Sequence, residues 1–131
     1  MSELTGKVAF ITGAGSGIGR GIAERLARDG ADIFIVDMDK EGAEMTANLV
    51  TQLGRRAVTF KANVASQQQM QAAAAACVAD LGRLDIAVAN AGIGRGGPLL
   101  ELSEKDWHDQ LDVNLTGVFL TVQAAAQQMA K

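Results

Sequence analysis

A glycine-rich turn between a short apolar run and an amphipathic segment is the feature that most constrains how this chain folds. The run Lys7–Thr12 leads into Gly13–Gly19, where four of seven residues are glycine, and a helical pattern starts at Gly17 without a linker. Glycine lacks a Cβ, so a ligand can approach the backbone of such a turn closely. The free N–H groups and the dipole of the helix point at the same place. The sequence therefore predicts a seat for a phosphate or pyrophosphate.

A carboxylate ends the next apolar run. Ile33–Asp37 has the pattern of a second buried strand, and Asp37 lies 18 residues after Gly19 and 24 after Gly13. These separations bracket the spacing of about 20 residues expected for the acid that binds an adenosine ribose. The carboxylate can accept hydrogen bonds from two ribose hydroxyls and would repel a 2′-phosphate. Because the glycine turn contains no Arg or Lys, the pattern favours NAD over NADP as the ligand.

Strand and helix patterns alternate along the whole chain, and this alternation defines the fold class. The predicted strands are Lys7–Thr12, Asp32–Asp37, Ala57–Lys61 and Leu84–Asn90, and the first three predicted helices are Gly17–Arg28, Lys40–Leu53 and Gln67–Leu81. A fourth helix is expected after the capping residue Ser103 and a fifth from near Asn114. Right-handed β-α-β units then predict an α/β, Rossmann-type, doubly wound parallel sheet with strand order 3-2-1-4. The length predicts one domain, residues 1–131.

Composition and charge exclude several classes of function. The net charge is −3, and Arg55-Arg56 is the only adjacent basic pair, so no nucleic-acid surface is expected. The absence of an apolar stretch of membrane-spanning length predicts no membrane partner. The single cysteine, Cys77, fits a core position and a reducing, cytoplasmic location. The single histidine, His108, has no second His and no Cys near it in sequence, so we expect no metal site.

Four motifs in order resemble those of the short-chain dehydrogenase/reductase family. The first is Thr-Gly-x-x-x-Gly-Ile-Gly at Thr12–Gly19. The others are Asn63-Val64, Ala89-Asn-Ala-Gly92 and, after Trp107, Val113-Asn-Leu-Thr-Gly117. Members usually carry Asp where Asn63 stands and Asn where Ala89 stands. The resemblance covers the whole chain and implies a domain that binds NAD.

The resemblance also implies roles for particular residues. The glycine turn would hold the dinucleotide, and Asn63 and Val64 would flank its adenine. Asn90 would line the cofactor cleft and steady the central sheet, and Asn114 would be the family's structural and catalytic asparagine. With the residues deduced above, the expected cofactor-binding set is Gly13, Ser16, Gly17, Ile18, Gly19, Asp37, Asn63, Val64, Asn90, Ala91 and Gly92.

The chain departs from the family most clearly in what it lacks. The family's chemistry rests on a serine after a fifth strand and on a Tyr-x-x-x-Lys helix, whereas this chain ends at Lys131 and contains no tyrosine. We therefore expect the NAD-binding part of an oxidoreductase, incomplete at its C-terminus after about four strands and five helices. A complete chain would transfer a hydride between NAD and a small secondary alcohol or ketone, and this one would be inactive alone. A stand-alone, non-catalytic nucleotide-binding or regulatory module remains the alternative, as does an interaction protein with a vestigial site.

Two exposed apolar features predict that the chain associates with itself. The predicted fourth strand is an edge strand with one charge, on Asp85, and no proline. The last predicted helix carries an apolar stripe, and the resemblance implies that the fourth and fifth helices form a subunit interface. The stripe residues are Leu115, Val118, Phe119, Val122, Ala126 and Met129. A homo-oligomer is expected, through either surface.

Overall fold

The computed structural model describes residues 3–131, so the first two residues of the predicted domain lie outside the described residues. The strands are β1 (Val8–Thr12), β2 (Asp32–Val36), β3 (Ala57–Phe60) and β4 (Ile86–Val88). The α-helices are α1 (Gly17–Arg28), α2 (Lys40–Gln52), α3 (Gln67–Leu81), α4 (Glu104–Leu111) and α5 (Gly117–Met129). A short 3₁₀ turn covers Leu99–Glu101, and a π-helical segment covers Asp112–Thr116.

The strands form one parallel sheet in the order β3-β2-β1-β4. This order confirms the predicted doubly wound arrangement. All residues of β1 and β2 are buried, as their continuous apolar sequences require of strands covered on both faces. The direction of winding reverses between β1 and β4, so the carboxyl ends of these two strands open a crevice.

Helices cover both faces of the sheet because the side chains of each strand alternate. On one face, α1 and α2 pack against a cluster that includes Ile11 and Ile35. On the other, α3 and α5 enclose a cluster built around Phe10 and Phe34, whose rings stack 5.6 Å apart.

Side-chain caps determine where two of the helices begin. Ser66 accepts a hydrogen bond from Gln69 N at the start of α3, and Ser103 accepts one from Asp106 N at the start of α4. Both serines occupy the N-cap positions that the capping-box spacing predicts. At the other end of α3, Gly82 has φ +89°, which a residue with a Cβ rarely adopts.

The fourth strand is shorter than its apolar run indicates. The prediction was Leu84–Asn90, but the ladder covers only Ile86–Val88, and at each end a side-chain oxygen accepts a hydrogen bond from a backbone N–H group. At one end, Val8 N donates to the Asp85 carboxylate at 2.9 Å. At the other, Asn90 N donates to Thr12 Oγ1 at 3.0 Å.

The predicted fourth and fifth helices are joined end to end. The segment Asp112–Thr116 is π-helical, and Gly117 N donates to Asp112 O, five residues back. Regular α-helix resumes at Gly117, not near Asn114 as predicted. No helix among residues 3–131 is both long enough and apolar enough to cross a membrane.

Candidate functional site

The glycine turn after β1 is a close-packed cradle. Gly13 has φ +66°, and a Cβ there would lie 2.8 Å from Ala91 Cα and 2.9 Å from Asn90 Nδ2. A Cβ on Gly19 would overlap the carbonyl oxygen of Gly13 and lie 2.6 Å from the same Asn90 Nδ2. The turn is therefore pressed against the segment after β4, and only glycine fits at these two positions.

The first turn of α1 opens onto this cradle. Ser16 is the N-cap residue with an extended backbone, and its side chain makes no capping hydrogen bond. The N–H groups of Gly17, Ile18 and Gly19 belong to the helix start, where no partner exists inside the helix. Ile18 is 77% exposed, so this end of the helix faces solvent. Free N–H groups, the positive end of the dipole and an uncommitted hydroxyl suit an anion.

Asp37 follows β2 and stands at the rim of the crevice. Its Oδ2 accepts a hydrogen bond from Gly15 N at 2.8 Å, and its Oδ1 accepts one from Asp39 N at 2.9 Å. A Cβ on Gly15 would lie 2.7 Å from Asp37 Oδ2, so the approach of the turn to the carboxylate also requires glycine. The carboxylate is thus half-buried and held by backbone N–H groups on two sides.

A cavity of about 250 Å³ lies between the glycine turn, the end of β2 and the segment after β4. It is lined by Gly13, Ser16, Val36, Asp37, Met38, Ala62, Asn63, Val64, Ala91, Gly92, Ile93 and Val113. Seven of the eleven expected cofactor-binding residues are among these. The other four, Gly17, Ile18, Gly19 and Asn90, lie in the first turn of α1 and behind the glycine turn.

Asn90 supports the turn from beneath. Its Nδ2 lies 3.1 Å from Thr12 O and 3.2 Å from Gly13 O, and it donates to both carbonyl groups. The side chain therefore holds the end of β1 and the start of the glycine turn against the sheet.

Thr12 has a role that the sequence analysis missed. Its hydroxyl oxygen accepts hydrogen bonds from Asn90 N at 3.0 Å and Ala91 N at 3.1 Å, and it lies 3.4 Å from Val88 O. The residue is 1% exposed. A polar residue at the end of an otherwise apolar strand was the available indication, because such a buried hydroxyl needs partners.

Asn63 and Val64 form the wall opposite the glycine turn. Asn63 Oδ1 accepts a hydrogen bond from Ala65 N at 2.9 Å, and Asn63 N donates to Gln69 Oε1 at 2.7 Å. Val64 is buried, and a Cβ on Gly117 would lie 2.6 Å from its Cγ2. This wall is therefore fixed by α3 and by the start of α5.

Asn114 binds the segment after β4 with both ends of its amide. Its Oδ1 accepts a hydrogen bond from Ile93 N and its Nδ2 donates to Ile93 O, each at 2.8 Å. One turn earlier, Gln110 makes the same paired contact with Arg95, with both distances 3.2 Å. The sequence analysis did not identify Gln110, although its spacing of four residues from Asn114 places both amides on one face. The two amides tie the segment after β4 to α4 and to the π-helical segment that follows it.

The remaining reactive side chains lie apart from this site. Burial, with the charges of Asp80 and Asp85, raises the pKa of Cys77 to about 12, so its thiol stays protonated. His108 is exposed, with Nε2 at 3.3 Å from Glu104 Oε1. Between residues 3 and 131 no group of three or more His, Cys, Asp or Glu side chains is placed to hold a metal ion.

A parallel sheet with a glycine cradle at its switch point, a helix start facing that cradle and an acid after β2 defines a Rossmann-type nucleotide-binding domain. The family model described as short chain dehydrogenase matches residues 7–131. The chain belongs to the short-chain dehydrogenase/reductase family.

Individual relatives agree with this assignment. The D-threitol dehydrogenase of Mycolicibacterium smegmatis is 48% identical over 130 residues, which are 97% of this chain and 49% of that protein. The carveol dehydrogenase from Mycobacterium avium, crystallised in complex with NAD, is 41% identical with a TM-score of 0.92 over 98% of this chain and 51% of its own. A short chain dehydrogenase from Mycobacterium paratuberculosis, bound to NAD, is 36% identical with a TM-score of 0.93 over 97% and 52%. The chain spans about half the length of the relatives it matches.

Proposed function

We propose that this chain forms the NAD(H)-binding part of a short-chain oxidoreductase that transfers a hydride between NAD and a secondary alcohol or ketone. The observation that carries the proposal is the placement of Asp37. Its carboxylate stands at the rim of the cavity, 2.8 Å from Gly15 N, where the turn that suits a pyrophosphate meets the strand end that suits a ribose.

The residues around the cavity suit the successive parts of a dinucleotide. The start of α1 and Ser16 suit the pyrophosphate, and Asp37 suits the hydroxyls of the adenosine ribose. Asn63 and Val64 offer one polar and one apolar group for the adenine. The segment after β4, which Asn114 holds at Ile93, would border the nicotinamide half. When bound, NAD accepts or supplies the hydride, and the residues of this chain bind and orient it.

Proton transfer to the substrate oxygen has no donor of the expected kind in these residues. The sequence contains no tyrosine, and both ends of the Asn114 amide are bound to Ile93. We propose that the chain alone turns over no alcohol or ketone at an appreciable rate, since positioned acid–base groups contribute about 10²–10⁴-fold. Sustained NADH formation from any of a panel of secondary alcohols, in protein free of host dehydrogenases, would contradict this.

The alternative is a module that binds the nucleotide without catalysis. It is favoured by the observation that the cradle, Asp37 and the cavity walls are all built within these residues. The two proposals share the binding site and differ in whether turnover appears when a complementary catalytic segment is supplied. A role in interaction alone, with a vestigial site, predicts no nucleotide binding.

We also propose a homo-oligomer in a reducing, cytoplasmic environment. Leu115 in the π-helical segment and Phe119 and Val122 on α5 are each more than half exposed, and their spacing places them on one face. Cys77 is a free, buried thiol, which fits such an environment.

A titration with reduced nucleotides tests the central proposal. The unmutated chain should bind NADH more tightly than NADPH, measured by nucleotide fluorescence. Asp37→Ala should lower the ratio of the NADPH to the NADH dissociation constant by about tenfold, because two charges about 4 Å apart repel by roughly 1–4 kcal/mol. Asp29→Ala is the matched control, because it removes the same charge from the end of α1, where Asp29 pairs with exposed Arg25. Equal affinity for both nucleotides in the unmutated chain would refute the proposal.

A further inference from the structure

Arg20 connects the glycine turn to α2. Its Nη2 donates to Gly15 O at 2.5 Å and lies 3.3 Å from Gly42 O, and its Nε donates to Thr46 Oγ1 at 3.0 Å. Among residues 3–131 the Arg20 cation forms no ion pair with a carboxylate. The guanidinium thus binds only carbonyl and hydroxyl oxygens, where the fixed directions of its N–H groups count more than its charge.

Thr46 extends this connection to the preceding residue of the turn. It is fully buried, and its Oγ1 lies 2.7 Å from Ala14 O and 3.2 Å from Gly42 O. Because the oxygen accepts the Arg20 Nε–H, its own hydrogen is left for these carbonyls, of which Ala14 O is the nearer. We name this pair of side chains the Arg20–Thr46 tie.

The tie and Asp37 hold opposite ends of one peptide group. The group between Ala14 and Gly15 is planar, so its C=O and N–H point in opposite directions. Thr46 binds the carbonyl oxygen, and the N–H donates to Asp37 Oδ2 at 2.8 Å. Arg20 binds the carbonyl of the next peptide group. Rotation of the turn that would release Asp37 must therefore break the bonds of the tie as well.

We propose that Arg20, acting through Thr46, is a positioning residue for nucleotide selectivity. The tie fixes the Gly15 N–H, which fixes the Asp37 carboxylate in the place where it accepts the ribose hydroxyls and excludes a 2′-phosphate. The inference rests on the proposed NAD binding and adds to it. It also explains how a cation so close to the site is compatible with a preference for NAD, since its N–H groups are directed at backbone oxygens.

Substitutions that separate geometry from charge test the inference. Arg20→Lys keeps the charge but cannot make all the bonds of the guanidinium, and Thr46→Val removes the hydroxyl at nearly constant volume. Both should lower the ratio of NADPH to NADH dissociation constants by about tenfold, equivalent to about 1.4 kcal/mol of preference. Thr46→Ser restores the hydroxyl and should keep most of the preference. Arg25→Gln, on the same helix but in an exposed pair with Asp29, is the control and should leave the ratio unchanged.

The ratio of dissociation constants is the decisive measurement because a loss of folded protein lowers the binding of both nucleotides equally. Thermal unfolding without nucleotide identifies any variant that does not fold. If Thr46→Val does not fold, the ratio measured for Arg20→Lys tests the inference by itself, since Arg20 is only half-buried. An unchanged ratio in the folded variants, with NADH still preferred, overturns the inference and leaves the proposed function standing.

The charge of Arg20 offers the rival explanation. If the cation simply attracts phosphate, Arg20→Gln should weaken NADPH more than NADH and raise the ratio, while Arg20→Lys should not change it. That result would also overturn the inference. If the unmutated chain shows no preference for NADH over NADPH, the proposed function itself is refuted.

Discussion

Replacement of Thr12 by valine tests whether its hydroxyl holds the end of β1 and the segment after β4 together at the base of the crevice. Valine has nearly the shape of threonine, so Thr12→Val leaves the packing at the end of β1 unchanged. It removes an acceptor from two N–H groups, those of Asn90 and Ala91, at 3.0 and 3.1 Å. Asn90 N keeps a second acceptor, Val88 O at 3.1 Å, so the Ala91 N–H is the group that loses its partner.

The expected cost follows mainly from the Ala91 N–H. An unsatisfied buried donor costs about 1–3 kcal/mol, and because Ala91 is only half-buried the lower end of that range applies. Asn90 N loses one of its two acceptors, which adds about 0.5–1 kcal/mol. We expect Thr12→Val to lower the free energy of unfolding by about 2 kcal/mol. Thr12→Ser keeps the acceptor and loses one buried methyl group, at a cost of about 1 kcal/mol.

Urea unfolding followed by circular dichroism measures both variants, with NADH titration in parallel. Thr12→Val should unfold at a lower urea concentration than Thr12→Ser and bind NADH more weakly, since Ala91 lines the cavity. If Thr12→Val is as stable as Thr12→Ser, the two N–H groups do not depend on the hydroxyl and the reasoning fails.

Three further predictions concern acid stability, close packing and association. Burial alone would raise the pKa of Asp32, but hydrogen bonds from the backbone and side chain of Arg56, with the charges of Arg55 and Arg56, hold it below its ordinary value. The resulting stability is present above about pH 4 and is lost as the pH falls through the lowered pKa. Asp32→Asn should therefore lower the free energy of unfolding by about 1–3 kcal/mol at neutral pH. In urea titrations the free energy of unfolding of this variant should fall less steeply as the pH is lowered. A Cβ on Gly42 would lie 2.5 Å from a carbonyl oxygen of the glycine turn, whereas one on Gly21 would meet nothing within 4 Å; Gly42→Ala should therefore lower the melting temperature and Gly21→Ala should raise it, and equal shifts would contradict the packing argument. Light scattering over a tenfold range of concentration should show a dimer or larger species, and a monomer throughout would refute the proposed association.

Much of the fold can be predicted from the sequence, because the periodicity of the apolar residues indicates which positions are buried. Continuous apolar runs such as Ile33–Val36 are typical of strands covered on both faces, and their alternation with helical patterns predicts a parallel sheet wound in both directions. The capping serines depend on local sequence in the same way, since Ser66 needs only its own next turn. The caps were predicted correctly, whereas the π-helical turn at Asp112–Thr116, which is also local, was not.

The other features that were missed depend on partners distant in sequence. The ends of β4 are set by oxygens of Asp85 and Thr12, and periodicity does not specify whether a side chain or a strand completes a ladder. The Arg20–Thr46 tie joins residues 26 positions apart on two helices. Each of these bonds forms because the packing of the folded chain brings its two residues together.

The π-helical segment at Asp112–Thr116 sets the rotational phase between α4 and α5. Its turn closes over five residues, from Gly117 N to Asp112 O, whereas an α-helical turn closes over four. Removal of one residue inside the segment would therefore allow a regular α-helical turn and leave α5 facing the same way. Removal of one residue after Gly117 has no such repair and would turn the side chains that follow it by about 100° around the helix axis. The glycines at 96 and 97 follow the contacts of Arg95 with Gln110, and an added Cβ there meets nothing within 4 Å, so changes of length can be absorbed at this point.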